Sequence, residues 1–231
     1  MIHRIFVGYD ERETIAYHVL AHSIMTRASL PVSITPLIRS QLTKASLYTR
    51  ARGPLESTDF SMTRFLVPHL CDYDGYALFL DCDILCQMDV MELFRLTNDD
   101  PGHALWVAQH DYIPNTSTKF LGQPQTAYPR KNWSSVMLFR NAQCRALTPW
   151  YVNQASGQDL HRFAWLQHNQ TIGALPFDYN WLVGEYPDKP DAKLLHYTLG
   201  GPWFPETADC PHADRWTAER DAMLGDVCRT F

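Results

Sequence analysis

The chain has 231 residues, 45% of them hydrophobic and 13% aromatic, which suffices for one large α/β domain over residues 1–231 with a sizeable core. Its 20 basic and 25 acidic residues give a net charge of −5, and no run of Lys and Arg is long enough to grip a nucleic-acid backbone. No apolar run approaches the roughly 18 residues of a membrane span and the opening segment is too short for a signal peptide, so a soluble cytoplasmic protein is expected, attached to a membrane at most peripherally.

Ile2 to Val7 reads as a first strand. Gly8 to Glu13 forms a turn, and a helix follows with Ile15, Val19, Leu20 and Ile24 at helical spacing. Asp10 with Glu13 three residues later matches a capping box. Val32 to Ile38 is a second strand, so the chain opens with a βαβ rhythm. Ser57 to Leu70 is predicted as a helix capped by Ser57 or Thr58 and ended near Pro68. Strands follow at Leu78 to Leu80, Ala104 to Gln109 and Ser135 to Phe139. Between the last two lies a polar, Pro-rich stretch from Asp111 to Asn132, of the length usually reserved for lids and binding loops. Helices are predicted over Pro149 to Gln154, Leu160 to Leu166 and Asp214 to Leu224, and a strand over Lys193 to His196. The cysteines, Cys71, Cys82, Cys86, Cys144, Cys210 and Cys228, have no CxxC spacing and read as free thiols in a reducing compartment.

The most informative segment is Tyr76-Ala77-Leu78-Phe79-Leu80-Asp81-Cys82-Asp83. A strand buried on both faces that ends on two carboxylates carries a cost unless a cation lies between them. Side chains at i and i+2 of a strand point the same way, so Asp81 and Asp83 can converge while Cys82 turns inward. Two hard carboxylates suit Mg²⁺ or Mn²⁺, with a phosphate completing the shell. Asp72-Tyr73-Asp74 has the same spacing, but it precedes Gly75 without a strand and reads as a solvated loop.

Other residues can be read in two ways. His196 ends an apolar run and is either a hydrogen-bonded core residue or a third ligand, which would favour Mn²⁺ over Mg²⁺. Gly200 and Gly201 either offer backbone N–H groups to an anion or make an ordinary turn. Arg64 is a surface ion pair or a guanidinium held over phosphate or sugar. Tyr9 could stack on a base, and Asp10 could hydrogen-bond to that base or cap the helix.

Taken in order, Val7-Gly8-Tyr9-Asp10, the Phe60 to Phe65 segment around Arg64, Phe79 to Asp83, Asn132 to Met137, Leu175 to Asn180 and His196 to Trp203 resemble a family 8 type retaining glycosyltransferase of the GT-A fold, in a short form like those of bacteria or phage. The resemblance spans Ile2 to Trp203. It implies a Rossmann-like, mixed but mostly parallel sheet flanked by helices, and a nucleotide-sugar donor, usually a UDP-sugar. It also implies Mn²⁺, with Mg²⁺ as the alternative, and transfer with retention to a glycan, lipid or protein acceptor. Carried over by position, Asp81, Asp83 and His196 would hold the metal, Asp81 also lying near the sugar and Asp83 near the ribose. Val7, Gly8, Tyr9, Asp10, Cys82, Asp83, Gly200 and Gly201 would line the nucleotide site. Arg64, Asn132, Trp133, Ser134, Ser135 and Gln167 would touch the donor sugar, and Asp81, Arg64, Gln167 and His168 would serve catalysis.

Two departures bear on mechanism. The lysine common before the Pro-Trp pair is Gly201 here, so Arg130, Lys131 or backbone amides would replace it. The segment beneath the sugar, Ala164 to Gln170, has no carboxylate for a covalent intermediate. A same-face mechanism follows, with the leaving phosphate oxygen taking the acceptor proton, and Asp159 and Asp178 are the fallback nucleophiles. The competing readings are a phosphatase of the haloacid dehalogenase type, a sugar nucleotidyltransferase, and a binding protein that kept the fold without the activity. The first would need a second acidic pair further downstream than Asp99-Asp100, and the second would need a Gly-rich basic loop after strand one.

Overall fold

The structure, a computed structural model, describes residues 2–53, 56–98, 102–111, 118–124, 129–167 and 170–225. Of the residues singled out above, His168, Asn169, Asp99, Asp100, Cys228 and much of the Asp111 to Asn132 stretch lie outside the described residues.

The strands, in chain order, are β1 (His3–Gly8), β2 (Val32–Leu37), β3 (Tyr76–Leu80), β4 (Ile84–Cys86), β5 (His103–Ala108), β6 (Thr118–Lys119), β7 (Gln123–Pro124), β8 (Val136–Arg140), β9 (Thr171–Leu175), β10 (Trp181–Leu182) and β11 (Leu194–His196). The α-helices are α1 (Thr14–Arg27), α2 (Arg39–Lys44), α3 (Val67–Leu70), α4 (Met91–Arg95), α5 (Pro149–Gln154), α6 (Gly157–His161) and α7 (Ala213–Leu224).

Six strands form the central sheet in the order β2-β1-β3-β8-β5-β9, parallel except for β8, which runs antiparallel to both of its neighbours. This is the expected mixed, mostly parallel α/β architecture. Ala77 to Leu80 of β3 are fully buried. At about 1.5–3 kcal/mol for each large apolar side chain buried, Leu78, Phe79 and Leu80 anchor the strand firmly. β1 connects to β2 on one side and lies beside β3 on the other. The carboxyl ends of β1 and β3 therefore flank the point where strand order reverses, where open α/β sheets bind ligands.

A second sheet, β10-β11-β4, pairs His196 with Ile84 and Leu195 with Leu85 in antiparallel register. Its apolar side chains Leu85 and Leu195 join Val19 of α1 and Trp216 of α7 in a smaller core. Glu219 of α7 ties the two helices together, accepting from His22 Nδ1 and Arg27 Nη2, each at 2.6 Å.

Several sequence expectations are corrected. Ser57 to Leu70 is not one helix but a series of turns, a 3₁₀ turn at Thr63–Leu66 and the single turn α3. Pro68 sits in the first turn of α3, where its missing N–H costs nothing, rather than ending the helix. α6 starts earlier than predicted and stops at His161, because Phe163 adopts a left-handed φ of 58° and Phe163 and Trp165 turn into the core. Asp10 caps a 3₁₀ turn, Glu11–Glu13, by accepting from the Arg12 N–H rather than from Glu13. The described part of the Asp111 to Asn132 stretch contains the two-residue strands β6 and β7. Asp72 and Asp74 lie exposed in a turn, as expected, and the described cysteines are free thiols.

Candidate functional site

β3 ends where the Asp81 N–H donates to the Ser135 carbonyl at 2.9 Å. Asp81-Cys82-Asp83 is then a turn leading into β4, so the two carboxylates converge through that turn and not through continued strand alternation. The fully buried Cys82 side chain fixes the turn from below, its Sγ 4.0 Å from the Glu13 carboxylate. β11 brings in the third group. The Tyr197 N–H donates to the Asp83 carbonyl at 2.9 Å, which seats His196 beside Asp83 with Nε2 3.3 Å from Oδ1.

Asp81, Asp83 and His196 are all buried, and one ligand atom from each lies within 4.8 Å of the other two. Burial pushes the Asp81 carboxyl up to about 6 against the pull of Arg64, with the Asp83 charge adding to the rise. Asp81 Oδ1 is buried and makes no hydrogen bond of sound geometry, although Arg64 Nη1 stands 2.8 Å away. Two carboxylates and an imidazole in this arrangement fit a divalent cation, whose ligands lie up to about 4.2 Å apart across an octahedral shell. A small closure of these side chains is all that is required.

Arg64 is not a surface residue. It is 5% exposed and clamped between Asp81 and the Ser134 carbonyl, with Nη1 2.8 Å from each. Its guanidinium lies over the rings of Phe60 and Phe79, at 5.2 and 5.0 Å. The Asn132–Ser135 segment wraps over the same site. Besides the bonds that the Ser134 and Ser135 carbonyls accept, Ser134 Oγ meets His161 Nδ1 at 2.8 Å and Trp133 Nε1 donates to the His110 carbonyl at 2.7 Å. The Asn132 carbonyl accepts from Asn180 Nδ2 at 3.0 Å, and Asn180 Oδ1 meets His196 Nδ1 at 2.8 Å. Asn180 lies in one of the segments that carried the resemblance, yet no sequence pattern marked its role, because its partners are set by tertiary contacts.

The remaining expected nucleotide residues divide. Tyr9 borders a cavity of ≈ 410 Å³ together with Ile38, Arg39, Thr43, Lys44 and Asp59, at the carboxyl ends of β1 and β2. Asp10 faces inward instead. Its carboxylate accepts from Arg12 Nε at 2.8 Å, from Arg12 Nη2 at 2.6 Å and from the Asp59 N–H at 3.1 Å. Those bonds outweigh the opposing effect of burial and hold its pKa below the ordinary carboxylate value. The Val7 and Cys82 side chains are fully buried, which leaves only their backbone to face a ligand. Gly8 is explained by packing, since a Cβ there would collide with the Phe60 ring. A Cβ on Gly201 would collide with Trp203, and the Gly200 N–H is taken by the Tyr197 carbonyl at 2.8 Å, so the ordinary-turn reading holds for Gly200. Gln167 is exposed and lines a pocket of ≈ 460 Å³ with Gln109, Arg130, Trp133 and Phe163, a lining that does not include the Asp81-Asp83-His196 cluster.

This fold is that of known glycosyltransferases. The glycosyltransferase GlyE of Streptococcus pneumoniae TIGR4 superposes over 95% of this chain with a TM-score of 0.61 at 14% identity, and the chain spans 60% of GlyE's length. The galactosyltransferase LgtC, solved in complex with donor and acceptor sugar analogs, superposes with a TM-score of 0.58 at 13% identity, covering 96% of each chain. No protein-family model matches the sequence. Protein CDI of Arabidopsis thaliana is 49% identical over 225 residues, which is 94% of this chain and 86% of that protein. The chain belongs to the family of Protein CDI, a plant protein.

Proposed function

We propose that residues 1–231 act as one GT-A unit, a retaining glycosyltransferase of the family 8 type that moves a sugar from a nucleotide sugar, most simply a UDP-sugar, to an acceptor. The observation that carries this reading is the convergence of Asp81, Asp83 and His196 at the strand-order switch of a glycosyltransferase fold. The triad would hold Mn²⁺ or Mg²⁺, which when bound supplies Lewis-acid stabilisation to a departing diphosphate.

The positions of the chain's own residues support the following roles. The cavity beside Tyr9 supports a base site, with the Tyr9 ring as its wall. Arg64 pairs with Asp81 and would keep a positive charge beside the reacting sugar. The Asn132–Ser135 turn, bonded to Arg64, Asp81 and Asn180, would orient the donor sugar. Without a carboxylate in the Ala164 to Gln167 segment, the same-face course is favoured, in which the leaving phosphate oxygen accepts the acceptor's proton. Gln167 and His168 would position the sugar from the far side.

A thermal-shift screen of UDP- and GDP-sugars, with and without Mn²⁺, tests the proposal, because a ligand that binds only the folded state raises its melting temperature. A shift with a UDP-sugar that depends on Mn²⁺ is expected. No shift with any nucleotide sugar would overturn the proposal.

A further inference from the structure

Behind His196 lies the side chain of Asn180. Asn180 is fully buried between two groups whose chemistry fixes its amide. On one side is the Asn132 carbonyl, which can only accept, 3.0 Å from Asn180 Nδ2. The amide nitrogen must face it, so Oδ1 faces His196 Nδ1 at 2.8 Å. An amide oxygen can only accept, so Nδ1 must carry the hydrogen. A neutral imidazole with its proton on Nδ1 has its lone pair on Nε2, the nitrogen 3.3 Å from Asp83 Oδ1. In that neutral form a lone pair and a carboxylate oxygen face each other, an arrangement that a cation between them satisfies. The reverse amide orientation would set Asn180 Oδ1 against the Asn132 carbonyl, two acceptors in a buried place.

The Asn132 carbonyl is itself fixed. Asn132 adopts φ 60° in the left-handed region, which Asn tolerates better than most residues, at the start of the 3₁₀ turn Trp133–Ser135. That turn also holds Asp81 through the Ser135 carbonyl and Arg64 through the Ser134 carbonyl. One short segment thus sets the geometry on both flanks of the cluster.

We propose that Asn180, oriented by the Asn132 carbonyl, is a positioning residue that locks His196 in the Nδ1–H tautomer and so reserves Nε2 for the cation. The inference rests on the metal-site reading above and adds to it the device that prepares the imidazole before the ion arrives. Outer partners of this kind govern the tautomer and basicity of ligating imidazoles.

The test combines two measurements on the full chain. Ring-nitrogen NMR of ¹⁵N-histidine-labelled, metal-free protein reports the His196 tautomer, assigned by comparison with His196→Ala. Calorimetric titration with Mn²⁺ alone reports affinity. Asn180→Leu, similar in volume but without an acceptor, should lose the Nδ1–H signature and weaken Mn²⁺ binding about 10- to 100-fold, whereas Asn180→Asp, which keeps an acceptor toward Nδ1 although its second oxygen meets the Asn132 carbonyl, should retain the Nδ1–H signature. If Asn180→Leu does not fold, the wild-type spectrum and Asn180→Asp decide. A wild-type His196 protonated at Nε2 instead of Nδ1 would overturn the proposal. So would Asn180→Leu binding Mn²⁺ as tightly as wild type, or Asn180→Asp losing the Nδ1–H signature. A wild-type protein that shows the Nδ1–H tautomer but binds no Mn²⁺ would leave Asn180's positioning role standing and overturn the metal-site reading on which its purpose rests.

Discussion

Replacing Arg64 by Met keeps most of the side chain's volume and removes its charge. Three consequences follow from the structure. Asp81, 7% exposed, loses the guanidinium 2.8 Å from its carboxylate while the Asp83 charge stays nearby. The buried Ser134 carbonyl loses its donor. The stacking of the guanidinium on Phe60 and Phe79 is also lost, although the Met side chain replaces part of that contact. Removing one partner of a buried ion pair costs about 3–5 kcal/mol, because the remaining charge is left buried and uncompensated. At roughly 2–4 °C per kcal/mol for a chain of this size, the melting temperature should fall by about 6–20 °C. The double variant Arg64→Met/Asp81→Asn, which removes the stranded charge, should recover part of that loss, with a coupling of about 0.5–3 kcal/mol in a double-mutant cycle. Denaturant unfolding of wild type, both single variants and the double variant measures it. A cost below about 1 kcal/mol for Arg64→Met, or strict additivity in the cycle, would refute the claim that Arg64 is the charge partner of Asp81.

Further outcomes follow from other parts of the structure. Gly8→Ala should destabilise the protein by about 1–3 kcal/mol through collision with the Phe60 ring. Phe60→Leu in the same chain should relieve part of that loss, and a Gly8→Ala variant as stable as wild type would contradict the packing account. Burial holds His110 and His161 down to about 3, far below the ordinary 6.5. Both are therefore neutral when folded and take up protons only on unfolding, so their stabilisation is complete above pH 6.5 and is lost progressively as pH falls toward 3. A plot of unfolding free energy against pH should decline across that window, and the decline should be shallower when both histidines are changed to Gln.

The parts of the fold that could be read from the sequence are those whose signal is local. β3 stands out because a continuous apolar run ends on two charges, and α1 because its apolar residues recur at helical spacing. The Asp81-Asp83 pair and His196 are each visible as charge or imidazole at the end of such a run, and it is the family resemblance that joins them into one expected site. The short strands β4 and β10 could not be read this way. They are three and two residues long and exist through pairing with β11, which follows β4 by more than a hundred residues and runs parallel to β10 after the connection 183–193. Arg64 illustrates a different limit. The sequence leaves it between a surface ion pair and a guanidinium held over phosphate or sugar, whereas its place is a buried slot between Phe60, Phe79 and the Asn132–Ser135 turn, which no neighbour in sequence reveals. Gly8 and Asp10 show how a motif can carry structural duties, with Gly8 making room for Phe60 and Asp10 engaged by Arg12. Asn180 was invisible for a related reason, since a buried amide is defined by what it bridges and not by its position in a pattern.

The most direct test of the central claim is turnover of a panel of UDP-sugars by the purified chain with and without Mn²⁺, read as release of UDP, alongside the Asp83→Ala variant. Mn²⁺-dependent UDP release from at least one donor, lost in Asp83→Ala while that variant still folds, is the predicted result. Tight donor binding with no release under any condition, or release that is indifferent to Mn²⁺ and to Asp83, would contradict the assignment of Asp81, Asp83 and His196 as the metal centre of a glycosyl transfer site.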